Sequence, residues 1–125
     1  MRVIERDNKT IICNYNPREN GIYKINFINS QNISVYIGKT ERTFGRRISE
    51  HIQDATKGCH CGNFQEAWDK ATKVVIEVVE RLDNKDGVNY KKIETQWIET
   101  YEISNLVNNI TSYADFFKKN KNESN

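Results

Sequence analysis

Residues 21–38 read GIYKINFINSQNISVYIG, and the fold turns on how this stretch is organised. Gly21 to Phe27 and Ile33 to Gly38 are rich in β-branched and aromatic side chains, the composition that suits a pleated, half-buried surface. Between them, Ile28-Asn29-Ser30-Gln31-Asn32 has turn chemistry. A β-hairpin follows. The tripeptides Gly21-Ile22-Tyr23 and Tyr36-Ile37-Gly38 mirror one another across a spacer of twelve residues, which puts Tyr23 and Tyr36 on neighbouring strands.

Downstream the period changes. Phe44, Ile48, Ile52 and Ala55 recur at helical spacing until Gly58 stops the run. After a loop at Cys59 to Gly62, the positions of Phe64, Ala67, Trp68 and Ala71 predict a short second helix. Lys73 to Leu82 reads as a third strand, and Asn84 to Gly87 as a turn. A long helix is expected from about Val88 to Ile103, with Ile93, Trp97 and Tyr101 along one face and Trp68 as a neighbour in the core.

Upstream, residues 1–20 are polar, contain the only proline, Pro17, and read as an irregular lead-in with one short strand near Thr10 to Cys13. The division expected is a lead-in over 1–20, a catalytic domain over 21–117 and a polar, frayed tail over 118–125. The order β-β-α-α-β-α predicts an α+β fold, a small, mostly antiparallel three-stranded sheet flanked by helices.

Bulk properties bound what such a domain can do. A chain of 125 residues, 37% hydrophobic and 29% charged, is long enough for one modest core and too apolar for a disordered chain. Lys and Arg number 19 against 17 Asp and Glu, so the net charge is only +2 and any basic patch must be local. Three cysteines, Cys13, Cys59 and Cys61, are an odd number, and the opening MRVIER lacks the apolar core of a secretory signal; both predict a reducing, intracellular and cytoplasmic setting. No apolar run approaches the ~18 residues that span a bilayer, so no membrane partner is expected. Cys59-His60-Cys61 lacks the second ligand pair that a four-coordinate zinc site requires.

GIY, then YIG followed by KTERTFGRRISEH, resembles the GIY-YIG nuclease family. Lys57-Gly58-Cys59-His60 and Glu94-Thr95-Gln96-Trp97-Ile98 are similar to segments in the catalytic domains of phage-type intron homing endonucleases, and the resemblance covers roughly residues 20–112. The chain departs from the pattern in two turns: the spacer between the tripeptides is slightly long, and the segment from Gly38 to His51 has one extra residue. The resemblance implies a DNA endonuclease dependent on Mg²⁺, with Mn²⁺ as a substitute. Its site would comprise Tyr23, Tyr36, Arg47, His51 and Glu94, with Gly38, Lys39, Arg46 and His60 lining the substrate and Asn109 bracing the Glu94 region. Arg46 competes with Arg47, which is preferred because it stands four residues before His51 and three after Phe44. Asn108 competes with Asn109 by position.

These residue types suit phosphodiester hydrolysis, which needs an activated water, charge stabilisation on the phosphoryl oxygens and help for the departing oxygen. Glu94 is the metal ligand of this scheme, one carboxylate sufficing where DNA completes the shell. Arg47 offers a permanently charged planar fork for a non-bridging oxygen. Tyr23 is implied as the general base, whose phenol, ordinarily near pKa 10, must be lowered by cations, with Lys39 placed in sequence to help. Tyr36, His51 and His60 would position water, phosphate or Tyr23.

Singly, each residue has a plainer role: strand tyrosines are usually core, a Glu beside Lys91 and Lys92 is usually a surface ion-pair partner, and Arg46, Arg47 and His51 are usually surface or half-buried polar groups. Their joint occurrence in order outweighs those roles. The alternative from another class is a non-catalytic nucleic-acid-binding or regulatory module on the same fold. The expected partner is DNA, with a separate targeting domain or subunit supplying the sequence specificity that a catalytic module of this length is not expected to contain, and a homodimer or sequential nicking accounting for any double-strand cleavage.

Overall fold

The computed structural model describes residues 1–60, 62–101 and 105–108. Its elements are strands β1 (Arg2–Arg6), β2 (Lys9–Asn14), β3 (Gly21–Ile28) and β4 (Ile33–Thr40), helices α1 (Phe44–Thr56) and α2 (Gly62–Lys70), strand β5 (Lys73–Arg81) and helix α3 (Tyr90–Ile98). The sheet order is β1-β2-β5-β3-β4. β3 pairs antiparallel with both β4 and β5, β1 with β2, and β2 runs parallel to β5. The fold is α+β, as expected, but its mixed sheet has five strands rather than three.

The two additional strands come from residues 1–20, which fold as a hairpin instead of an irregular lead-in. Asp7 and Asn8 form its two-residue turn, both at positive φ (55° and 61°), the geometry that matches the twist of the flanking strands. β1 is a sheet edge on which only Ile4 is half-buried, so it carries almost no apolar signal. β2 is anchored more deeply: Ile11 and Cys13 are buried, and the Lys9 ammonium donates to the Ala71 carbonyl at 3.0 Å while lying 5.4 Å from the Trp68 ring centre.

Because helices cover both sheet faces, the buried apolar residues divide into two clusters. On one face Tyr23, Ile25 and Phe27 join Ile11, Val74 and Ile76 beneath Phe44, Ile48 and Ile52 of α1 and Phe64 and Trp68 of α2. On the other, Ile22, Val35, Ile37 and Leu82 meet Tyr90 and Ile98 of α3. Trp68 therefore lies across the sheet from Trp97 and is not its neighbour. Alternation along β3 produces the split, since Ile22 and Tyr23 must point to opposite faces.

Helix α3 begins at its N-cap Asn89, whose side chain accepts from the Lys92 amide, and ends at Ile98, well short of Ile103. Its fully buried face is Tyr90, Glu94 and Ile98, with Ile93, Trp97 and Tyr101 half-buried beside it. The Tyr90 hydroxyl donates to Asn20 Oδ1 at 2.7 Å and accepts from the Asn84 amide at 2.8 Å, pinning the helix start to the residue before Gly21. The Trp97 indole donates to Glu80 Oε1 at 3.0 Å.

Candidate active site

The β3–β4 register sets Tyr23 opposite Gly38 and Ile25 opposite Tyr36, so both tyrosines rise from the same sheet face. The Tyr23 ring lies directly over Gly38. A Cβ there would fall 2.6 Å from Tyr23 Cε2 and closer still to the hydroxyl, so only glycine leaves room for the ring. Gly38 shapes the site by having no side chain. That face is not open: α1 and α2 cover it, Tyr23 is fully buried and Tyr36 half-buried.

From the helix side, α1 delivers His51, whose Nε2 lies 2.7 Å from the Tyr23 hydroxyl and whose Nδ1 lies 2.7 Å from His60 Nε2. Burial, followed by the charges of Arg47 and His60, pushes the His51 pKa down to about 3, so its ring is neutral. A neutral imidazole has one N–H: when Nδ1–H donates to His60, Nε2 accepts the Tyr23 O–H. The rings of His51 and His60 lie nearly parallel to Phe64, at 5.0 and 3.7 Å between centres, while Tyr36 meets both His51 and Phe64 edge-on. This aromatic wall fixes the imidazoles that hydrogen-bond inward.

Arg47, one turn before His51 and on the same helical side, brings its guanidinium to the tyrosine pair. Burial works against its charge, but Tyr23, Tyr36 and Glu50 outweigh burial and hold its pKa above the ordinary value. Tyr23 is raised well above 10 by burial first, then by Tyr36; Arg47 opposes the shift and Glu94 adds to it. In the protein as it stands Tyr23 is a neutral phenol, and lowering its pKa requires added positive charge. Lys39, opposite Ile22, points to the α3 face and is not among the largest influences on Tyr23.

Glu94 approaches from α3, 6% exposed, with the Lys91 ammonium 3.3 Å from Oε1. Helices on opposite sheet faces thus bring Arg47 and Glu94 within electrostatic reach of one hydroxyl. Among the described residues no three His, Cys, Asp or Glu side chains converge as a metal cage. A lone buried carboxylate fits a hard cation only if water and a substrate phosphate complete the shell.

Arg46 is exposed, its backbone amide donating to the Thr43 hydroxyl that caps α1. His60 joins the site through His51. Asn109 lies outside the described residues, as do Cys61 and the whole of the tail. Asn108 is 4% exposed and grips β4 from its outer edge: Oδ1 accepts from the Ile37 amide at 2.8 Å and Nδ2 donates to the Ile37 carbonyl at 2.6 Å. It braces the strand between Tyr36 and Gly38 rather than the Glu94 region. Sequence reasoning missed Glu50, whose carboxylate accepts from Arg47 at 3.3 Å and from Arg42 at 3.2 Å; the i, i+3 spacing from Arg47 was its only signal. Phe64, the floor of the aromatic wall, was legible only as a core position.

A family model described as the GIY-YIG catalytic domain matches residues 19–108, and the chain belongs to the GIY-YIG nuclease family. No curated protein and no solved structure matches the chain. Among the described residues no helix is long and apolar enough to cross a membrane.

Proposed function

We propose that this protein is a Mg²⁺-dependent DNA endonuclease that hydrolyses phosphodiester bonds at a single site formed by Tyr23, Tyr36, Arg47, His51 and Glu94. What supports it above all is the His51 ring at 2.7 Å from the buried Tyr23 hydroxyl, on which the charges of Arg47 and Glu94 also act. Glu94 would hold Mg²⁺, or Mn²⁺ in its place, and the ion supplies a positive charge that stabilises the phosphoryl oxygens. Tyr23 is the general base once positive charge in the loaded site lowers its pKa, and neutral His51 orients its hydroxyl. Arg47 takes a non-bridging oxygen of the scissile phosphate, held in place by Glu50. Tyr36, at the half-buried mouth of the site, and exposed Arg46 contact the adjacent backbone, which carries no sequence information.

On this proposal the domain acts as a catalytic module of phage-type homing-endonuclease kind in an intracellular setting. One such site cuts one strand at a time. A second copy or a targeting domain supplies double-strand cleavage and sequence choice.

The test is nicking of supercoiled plasmid by wild type and Glu94→Ala, each with Mg²⁺ and with a chelator, at low salt so that weak non-specific binding still registers. Metal-dependent nicking by wild type alone is expected. Nicking by Glu94→Ala at the wild-type rate would remove the proposed metal ligand. DNA affinity without any nicking would point to a binding module instead.

A further inference from the structure

Residues 1–18 lie outside the span matched by the family model, yet they build a second basic feature on the α1 side of the sheet. β1 and α1 enclose a groove of about 210 Å³ lined by Arg2, Ile4, Arg6, Tyr15, Ser49 and Gln53, over buried Ile52. A neighbouring recess of about 170 Å³ shares Arg2 and Tyr15, so the two form one trough. We infer that this trough is a DNA-backbone site, in which Arg2 and Arg6 each take a phosphate of the duplex being cut and Ser49, Gln53 and Tyr15 add neutral hydrogen bonds.

Charge carries the inference first. Arg2, Ile4 and Arg6 alternate toward the groove, and neither arginine forms an ion pair with a described residue. The acids beside them in sequence are engaged elsewhere: Glu5, on the opposite face of β1, accepts from the Thr10 hydroxyl at 3.0 Å, and Asp7 from the Trp68 indole at 2.8 Å. Glu50, next to Ser49, is held by Arg42 and Arg47. No described carboxylate lines the trough. In a chain of net charge only +2, two unneutralised guanidinium groups over an apolar floor form a local basic patch. Arginine, serine, glutamine and tyrosine are also the side chains that bind phosphate oxygens in protein–DNA contacts.

Spacing carries it second. Arg2 and Arg6 are four residues apart on a strand, about 13 Å, over which one strand of B-DNA advances about four phosphates. β1 stands three strand positions from β3, about 14 Å at the usual strand spacing, so the trough lies beside the site rather than within it. α1 presents Arg47 and His51 to the site on one side and Ser49 and Gln53 to the trough on the other, with exposed Arg46 on the same helix. The trough and the site thus flank α1 on the same side of the sheet, and a duplex held at the site would reach Arg2 and Arg6 by running past the exposed side of α1.

The inference rests on the nuclease reading, and one experiment separates the two. Anisotropy of a fluorescein-labelled 30-base-pair duplex of mixed sequence would be measured with chelator over a salt series for wild type, Arg2→Gln/Arg6→Gln and Arg2→Lys/Arg6→Lys. Plasmid nicking with Mg²⁺ would be measured in parallel. The glutamine variant should lower the slope of log K against log salt by about 1.8, two phosphates at about 0.9 each, weaken binding about tenfold or more at low salt, and raise KM with kcat retained. The lysine variant should restore the slope, which a merely structural role of the arginines would not explain. Wild-type slope and KM in the glutamine variant, with wild type still nicking, would overturn the trough alone. A wild type that neither binds nor nicks would overturn both.

Discussion

Asn108→Ala tests the idea that the strand bearing Tyr36 and Gly38 is held from outside the sheet. β4 is an edge strand, and the Ile37 amide and carbonyl on its outer side find their partners in the Asn108 side chain, at 2.8 and 2.6 Å. The next contact along, the Val107 amide donating to the Val35 carbonyl at 2.8 Å, is backbone only and survives the substitution. Asn108 is 4% exposed, so water does not freely replace the lost amide, and two main-chain groups are left unpaired. At about 1–3 kcal/mol for each unsatisfied buried group, less what the edge recovers by relaxing, the expected loss is about 2–4 kcal/mol. With a urea m-value of about 2 kcal/mol/M, the unfolding midpoint falls by about 1–2 M. Asn108→Asp keeps an acceptor for the Ile37 amide but sets a carboxylate against its carbonyl, and is expected to be no milder than alanine. Nicking should fall as well, because slack at Ile37 frees both Tyr36 and Gly38. An alanine variant within about 0.5 kcal/mol of wild type and fully active would refute the bracing role.

Three further outcomes are expected. Gly38→Ala drives a methyl into the Tyr23 ring and should cost about 1–3 kcal/mol in urea unfolding while displacing the hydroxyl from His51 and abolishing nicking; unchanged stability and activity would contradict the packing described. His51, held neutral down to about pH 3 against an ordinary 6.5, leaves stability whole above pH 6.5 and drains it as pH falls toward 3, because only the unfolded chain gains that proton. The His51 contribution reaches about 5 kcal/mol, and His51→Gln should flatten this limb of the stability–pH curve; an unaltered limb would show that other groups control it. Arg47→Ala should lower kcat by about a hundredfold or more while Arg46→Ala changes it only a few-fold, and the reverse order would transfer the phosphate contact to Arg46.

The sequence by itself determined the local structure around the site. The composition of 21–38 set the hairpin and put the two tyrosines on neighbouring strands, and helical spacing from Phe44 put Arg47 and His51 on one side of α1. These are short-range effects, in which side-chain shape and chain periodicity act between residues close in sequence. Tertiary structure decided what depends on distant partners. The strand character of Arg2–Arg6 was hidden because an edge strand buries almost nothing, and β2 is fixed by parallel pairing with β5 some sixty residues away. Lys39 looked well placed beside Gly38, but alternation in the sheet sends it to the opposite face from Tyr23. Glu94, one carboxylate on a charged helix, gained its place only when α3 packed across the sheet from α1 and brought it within reach of Tyr23. Asn108 acquired its role in the same way, because the open edge of β4 leaves Ile37 in need of partners that only a distant segment provides.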